Sequence, residues 1–242
     1  MRTQRKEDKQ RVISLFEEHV SPLLHTHSFT TLSKGRHWCR RTTERLDFIE
    51  IRFADVEGFA PAGLTAASFD VLAGTFFRWI PHPLAARFNG LDGLPVKDTA
   101  SCHFVRHFKP GWTFSRFRHR ATWYVGTFGR STASTVRSAS HAITRDALAW
   151  LECFENLDQV AKQLQTKAAY EIGARAPTLT LGFLALRLHD YALAAQRLRE
   201  ALAMRNPARL VNPAMDEFVY QPVDAEIKAA LARAMAGGSR PT

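Results

Sequence analysis

Histidines crowd one stretch of this chain, CHFVRHFKPGWTFSRFRHRATWYV, which runs from Cys102 to Val125. His103 and His107 have the same parity, so a strand would place both imidazoles on one face. A metal ion held between them needs a third ligand, for which His119 is the candidate, and nearby acids to orient the rings. No Asp or Glu occurs from Thr99 to Arg145. The sequence therefore disfavours a metal site and predicts no cofactor.

Arginines in the same stretch offer a different kind of chemistry. Arg116, Arg118 and Arg120 lie on one face of a predicted strand, and Phe117 and His119 lie on the other. Such a row of guanidinium groups suits an acidic protein surface. It also suits single-stranded nucleic acid, where bases stack on rings and arginines meet phosphates. The candidate partner-binding residues are Arg106, Arg116, Arg118, His119 and Arg120.

The familiar catalytic patterns are missing from the sequence. It contains no G-x-S-x-G turn, no H-E-x-x-H helix and no phosphate-binding G-x-x-x-x-G-K loop. Asp47 and Glu50 have opposite parity in the strand-like segment LDFIEIRF, so they do not form an acid–base pair on one face. The sequence therefore predicts a non-enzymatic protein. A hydrolase or transferase that uses His103, His107 or His119 is kept as an alternative.

The composition of the chain predicts its cellular compartment and the kind of partner that it binds. The chain has 242 residues, a formal net charge of +10 and 45% hydrophobic residues, which is enough for a sizeable core and favours acidic or polyanionic partners. Its three cysteines form no C-x-x-C pair, which suits a reducing compartment. The N-terminus is charged, and no apolar run has the length of a membrane span. We therefore predict a cytoplasmic protein that makes no membrane contact.

The pattern of elements predicts an α+β fold. Apolar spacing indicates an amphipathic helix over 4–24, and short strands are indicated over 29–32, 36–41, 46–53 and 68–80. Lys109, Pro110 and Gly111 suit a turn that joins strands 102–108 and 112–119 in a hairpin. From Ser131 onward the pattern is helical. It predicts a long helix over 131–154, a cap at Asn156 for the next helix, a helix that begins at Pro177, and a loop over 206–222. The prediction is an N-terminal helix, a mostly antiparallel sheet and a C-terminal helical half.

The C-terminal helices are predicted to form an appendage. The segment from Leu181 to Ala203 indicates a helical hairpin with its turn at His189 and Asp190, similar to a single tetratricopeptide unit. Ala185, Ala192 and Ala195 are the small residues expected to let the helices approach closely. We predict one α+β domain over 1–165 and a helical extension over 166–242 that packs on it.

The order of these pieces resembles a known bacterial family. The chain runs through SFTTLSKGRHWCRRTTERLDFIEIRF, SFDVLAGTFFRWIP, CHFVRHF, TWYV and DALAWLECFENLDQVAKQL. This is similar to the bacterial domain-of-unknown-function family numbered 4304, over about residues 11–165. The resemblance implies a bacterial, cytosolic protein of sheet and helices, and it carries no catalytic residues over to this chain. Ala149 stands where the family has a proline before the tryptophan.

These observations predict a non-enzymatic protein-binding module. Small proteins of this type, without cofactor motifs, often serve in toxin–immunity pairs, so the leading hypothesis is an immunity protein that neutralises a bacterial toxin by occluding its active site. The charge predicts an acidic partner surface. A nucleic-acid-binding protein that uses the basic strand 116–120 is the alternative hypothesis.

Overall fold

A computed structural model describes residues 2–54, 65–81, 98–110, 122–125, 132–166, 171–211 and 221–238. It confirms the predicted α+β fold, because an N-terminal helix is followed by a six-stranded antiparallel sheet and then by a helical C-terminal half. None of the helices in the described ranges is long and apolar enough to span a membrane.

Two consecutive helices open the chain where the sequence predicted one. They are α1 (Arg2–His19) and α2 (Ser21–Thr26). The break lies at Val20, and Pro22 is in the first turn of α2, where its missing N–H costs nothing. Val12 and Phe16 are fully buried, as the apolar spacing predicted, and the Phe16 ring packs edge-on against Phe69 at 5.1 Å.

Six strands form the sheet. They are β1 (Phe29–Ser33), β2 (His37–Arg41), β3 (Arg45–Phe53), β4 (Phe69–Phe77), β5 (Phe104–Phe108) and β6 (Thr122–Trp123). Strands β1 to β5 lie in sequence order, and β6 pairs antiparallel with the start of β4. A tight turn joins β1 and β2, in which the Arg36 N–H donates to the Ser33 carbonyl at 3.0 Å. Gly35 adopts φ +58°, a conformation that glycine takes without steric cost, and its N–H donates to Glu17 at 2.7 Å.

Strand β3 is buried on both faces over its first half. Phe48 and Ile49 are both inaccessible to solvent, which explains why its sequence does not alternate cleanly. Asp47 is also fully buried, and its carboxylate accepts hydrogen bonds from Arg40, Arg45 and Thr75 at 2.8–3.0 Å. This network is internal, so Asp47 is a structural residue of the sheet.

The predicted long helix over 131–154 is a series of helical segments. It comprises α3 (Thr132–His141), a π-helical segment (Ala142–Ala147), α4 (Leu148–Glu152) and a 3₁₀ turn (Cys153–Glu155). The next helix is α5 (Leu157–Leu164). Asn156 caps it as predicted, because its side-chain oxygen accepts from the Gln159 N–H at 3.0 Å.

In the described residues after 166, three further helices follow: α6 (Pro177–Arg187), α7 (Tyr191–Val211) and α8 (Gln221–Gly238). Pro177 begins α6, and His189 and Asp190 form the junction before α7, both as predicted. The predicted loop over 206–222 is wrong at both ends, since α7 continues to Val211 through a proline and α8 begins at Gln221. Residues 212–220 of that loop lie outside the described residues.

Helices α6 and α7 approach closely through small side chains. Gly182 faces Leu198, whose side chain lies 2.9 Å from where a β-carbon at position 182 would stand. Ala185, Ala194 and Ala195 are buried in one apolar cluster with Ala234 of α8. The expectation that Ala192 shares this interface is wrong, because Ala192 is exposed and Ala194 takes its place.

The chain divides into two compact units, each made of two stretches. One unit comprises Met1–Thr75 and Arg106–Glu152, and the other comprises Phe76–Val105 and Cys153–Thr242. The first contains α1, α2, β1 to β3 and the basic surface described below. The second contains α5 to α8. The predicted domains 1–165 and 166–242 stay a prediction.

Candidate functional site

Arg106 is the predicted partner-binding residue that the structure describes. It lies in β5 and is exposed, while the flanking Phe104 and Phe108 are buried. Its guanidinium group lies over the Phe108 ring, 5.7 Å from the centroid. The Phe108 ring packs in turn edge-on against Trp150 at 6.1 Å. A buried aromatic pair therefore supports the stem of an arginine whose charged end faces solvent.

The other predicted partner-binding residues cannot be placed in this way. Arg116, Arg118, His119 and Arg120 lie outside the described residues, together with the whole of the predicted hairpin's second strand, 112–119. The row of guanidinium groups on strand 116–120 stays a prediction.

A basic groove runs along α3 and the π-helical segment in the first unit. It has a volume of about 350 Å³. Its lining residues are Lys109, Ser134, Arg137, Ser138, His141, Ala142, Arg145 and Asp146. The cations Lys109, Arg137 and Arg145 are exposed, and so is His141. We call this surface the basic groove.

Helical geometry explains why these side chains converge. Ser134, Arg137, His141 and Arg145 follow one another at steps of three or four residues, so they share one face of the continuous helical stretch. The opposite face carries apolar residues that are fully buried, among them Val136 and Ile143. Burial of that face holds the polar stripe toward solvent.

One acid interrupts the positive charge of the basic groove. Asp146 accepts hydrogen bonds from the Arg145 guanidinium at 2.7 and 2.9 Å. The hydrogen bond from Arg145 lowers the pKa of the Asp146 carboxyl, with a further contribution from the charge of Arg106. The same hydrogen bond raises the pKa of Arg145. Asp146 is therefore ionised at neutral pH and offsets a single positive charge.

The π-helical segment lies at one end of the basic groove. Residues Ala142–Ala147 carry both Arg145 and Asp146. Such segments are uncommon in proteins and occur frequently at functional sites, because the extra residue per turn re-aims the side chains. Here the segment sets the position of the groove's only acid among the described lining residues.

The histidines of the opening stretch do not gather around a metal ion in the described part of the chain. His103 is buried, its Nδ1 accepts from the Phe77 N–H at 3.1 Å, and its ring stacks on Phe76 at 4.7 Å. His107 is exposed. No cluster of three His, Cys, Asp or Glu side chains able to hold a metal is found among the described residues. His119 lies outside them.

Cysteines and carboxylates also take structural places. All three cysteines are described, and none forms a disulfide; Cys39 and Cys102 are buried and Cys153 is exposed. Asp47 is enclosed in the sheet, whereas Glu50 pairs with Arg52 at 3.1 Å near the surface. This agrees with the expectation that the two carboxylates do not share a face.

Sequence reasoning missed the basic groove although a signal for it was present. The acid-free run continues past the predicted strands as far as Arg145. Within it, Arg137, His141 and Arg145 recur at a spacing of four residues, which is typical of one helix face. The spacing marks one helix face, but only the fold shows that this face is exposed and that Lys109 lies beside it.

In comparisons with known proteins, no family model, no curated protein and no solved structure matches the chain. The resemblance to the family numbered 4304 stays a prediction drawn from the quoted motifs.

Proposed function

We propose that this protein is a protein-binding module that recognises an acidic surface of a partner protein through the basic groove. One observation carries the proposal: three exposed cations, Lys109, Arg137 and Arg145, line a single groove together with His141 and only one described acid. Arg106 adds a further exposed cation close enough to influence that acid.

The donors that line the basic groove suit the carboxylates of Asp and Glu side chains. Arginine presents a planar fork of donors that can bind a carboxylate through two parallel hydrogen bonds. The hydroxyls of Ser134 and Ser138 lie on the same face and can donate to the same groups. A partner that buries Asp or Glu side chains here would satisfy both sets of donors.

The lining of the groove favours a protein over single-stranded nucleic acid. None of the described lining residues is Phe, Tyr or Trp, and His141 supplies the single ring among them. Sites for single strands combine cations with rings on which bases stack. The alternative function, nucleic-acid binding through strand 116–120, therefore has no additional support from the basic groove, and the experiment below tests it directly.

We propose further that the partner is a bacterial toxin whose active site the protein occludes, which makes the chain an immunity protein of the cytoplasm. The support for this step is the resemblance to the bacterial family and the positive charge of the groove. Cysteines without disulfides suit the reducing cytoplasm. This finer proposal requires that the captured partner be toxic when it is expressed alone, and harmless when it is co-expressed with this chain.

The test is a tagged pull-down from the source cells, with and without nuclease, at low and high salt. It compares the wild type with a triple variant, called the groove variant, that reverses two cations of the basic groove and the neighbouring Arg106: Arg106→Glu, Lys109→Glu and Arg137→Glu. A matched control reverses the same number of exposed cations elsewhere in the first unit: Arg11→Glu, Lys34→Glu and Arg41→Glu. Both variants change the net charge equally.

We expect one near-stoichiometric protein that survives nuclease, is retained by the control and is lost by the groove variant. Equal loss in both variants would mean that net charge alone holds the partner, and the groove assignment would then be wrong. Nucleic acid that leaves with nuclease would replace the proposal by the alternative function.

A further inference from the structure

A second open cleft lies in the other compact unit. It has a volume of about 1120 Å³ and is formed by Trp79, by the junction of α6 and α7, and by the end of α8. The lining side chains that carry the argument below are Trp79, Arg187, His189, Asp190, Tyr191 and Arg233. We call it the aromatic cleft.

The wall of the aromatic cleft is fixed by an unusual backbone conformation. Helix α6 ends with the N–H of Asp190 donating to the Ala185 carbonyl at 2.9 Å and the N–H of His189 donating to Leu186 at 3.3 Å. This C-terminal motif places the residue after the cap in the left-handed region, where glycine is usual. His189 occupies that position with φ +62°. A side chain there is disfavoured by the backbone, so the fold gives no local reason for a histidine.

The histidine and its neighbour are held in place by contacts. His189 Nδ1 shares a hydrogen bond with the Tyr191 hydroxyl at 3.0 Å. The Tyr191 ring lies so close to Gly237 of α8 that a β-carbon at that position would stand 2.6 Å from it. Because position 237 is a glycine, the Tyr191 ring can pack against it. The side chains of His189 and Tyr191 are thus preorganised at the rim of the cleft.

Trp79 is a second residue, after His189, whose presence packing alone does not explain. It is only half-buried, and its indole N–H is buried without an acceptor among the described residues. A buried donor without an acceptor destabilises the fold, and phenylalanine would supply the same apolar contact without it. The Arg187 guanidinium lies 5.8 Å from the Trp79 ring centroid. An aromatic face and a cation are thus presented together.

Charge decides what the aromatic cleft accepts. Arg187 and Arg233 are exposed cations that line the cleft. The only acid among the lining residues described is Asp190, and its carboxylate already accepts from the Leu193 N–H at 3.1 Å as a helix cap. The cleft therefore complements a ligand that carries negative charge together with an apolar or aromatic group.

We propose that the aromatic cleft is a second binding site, specific for an acidic peptide segment that also carries an aromatic side chain. Its volume exceeds the usual range for a small ligand and suits several residues of a peptide. Tryptophan, tyrosine and arginine are the residues that dominate binding energy at protein interfaces, and all three are present here. The aromatic cleft shares no lining residue with the basic groove, and its test uses its own variants.

The probe is a fluorescein-labelled peptide of about ten residues in which glutamates flank two phenylalanines, followed by fluorescence anisotropy with the full chain. Two matched peptides replace the glutamates by lysines or the phenylalanines by alanines. The variants are Arg187→Glu with Arg233→Glu, and Trp79→Phe. The control, Arg199→Glu with Lys228→Glu, reverses two exposed cations of α7 and α8 outside the cleft.

We expect the acidic aromatic peptide to bind, and the cleft double variant to lower its affinity at least tenfold. Trp79→Phe should lower the affinity about threefold or more while circular dichroism shows an unchanged fold, and the control should stay within twofold. Equal binding of the alanine peptide, or equal loss in the control, would overturn the proposal. So would displacement of the peptide by a mononucleotide at lower concentration, which would assign the cleft to a small anionic ligand.

Discussion

Burial separates two kinds of charged residue in this chain. Asp47 is fully buried and engaged by two arginines and a threonine, so its charge holds the sheet together. Arg137 and Arg145 carry their charges into solvent along a groove. The sequence alone does not distinguish them, because both kinds lie in segments with apolar neighbours. Only the fold shows which charges can meet a partner.

Replacement of Asp47 by asparagine should destabilise the protein strongly. The variant removes the negative charge that faces Arg40 and Arg45, whose side chains are only 14% and 7% exposed. Breaking a buried charge network from one side typically costs about 3–5 kcal/mol, because the remaining charges lose their counter-charge away from water. Urea unfolding followed by circular dichroism measures the loss.

The control for this prediction is Glu50→Gln on the same strand. Glu50 pairs with Arg52, whose side chain is 43% exposed, and such surface pairs contribute only about 0–1 kcal/mol. If both variants lost the same small free energy of unfolding, the buried network around Asp47 would not stabilise the sheet in the way argued here.

At the scale of elements, the apolar periodicity of the sequence predicted the helices and strands whose formation depends on local sequence. The first helix, strands β1 to β5, the Asn156 cap and the helical hairpin at His189 all follow from spacing and from residues that begin or end elements. The π-helical segment and the continuation of α7 past residue 206 did not. These depend on how the helices pack, which overrides local preference. The basic groove was missed for the same reason, since it requires knowing which helix face is exposed.

Close packing of α6 against α7 predicts that Gly182→Val destabilises the second unit. A β-carbon at this position would already lie 2.9 Å from the Leu198 side chain and 3.3 Å from its backbone nitrogen. The added methyl groups must force the helices apart, at a typical cost of about 1–3 kcal/mol. The free energy of unfolding in urea measures the effect.

Ala192→Val is the matched control, because Ala192 lies on the exposed face of α7. It introduces the same β-branched side chain into the same helical hairpin, with only a small cost in helix propensity. A comparable loss in the two variants would show that branching, and not the close approach of the helices, limits stability at these positions.

At the scale of the whole molecule, the net charge of +10 attracts negatively charged molecules, and the distribution of that charge determines which partner the protein binds. Several described acids are engaged within the fold: Asp47 in the sheet, Asp146 with Arg145, and Glu200 with Gln196 and Arg197. Each ion pair takes up a cation as well as an acid, so the excess of 33 Lys and Arg over 23 Asp and Glu dominates the field that an approaching partner encounters. Composition alone gives the positive sign of the net charge. Only the structure shows that part of this charge lies in the basic groove.

Association with the captured acidic partner should consequently depend steeply on salt. Electrostatic steering raises association rates by about tenfold to a thousandfold at low ionic strength, and salt screens exposed charges beyond about 8 Å at physiological ionic strength. We expect the association rate to fall at least about tenfold when salt is raised from low to high concentration, with a smaller change in the dissociation rate.

The groove variant Arg106→Glu, Lys109→Glu and Arg137→Glu should lose most of this salt dependence, because it removes the charges that are screened. Surface plasmon resonance at several salt concentrations separates the two rates. A salt-independent association rate in the wild type would place the binding energy in apolar contacts elsewhere on the molecule and would refute recognition through the basic groove.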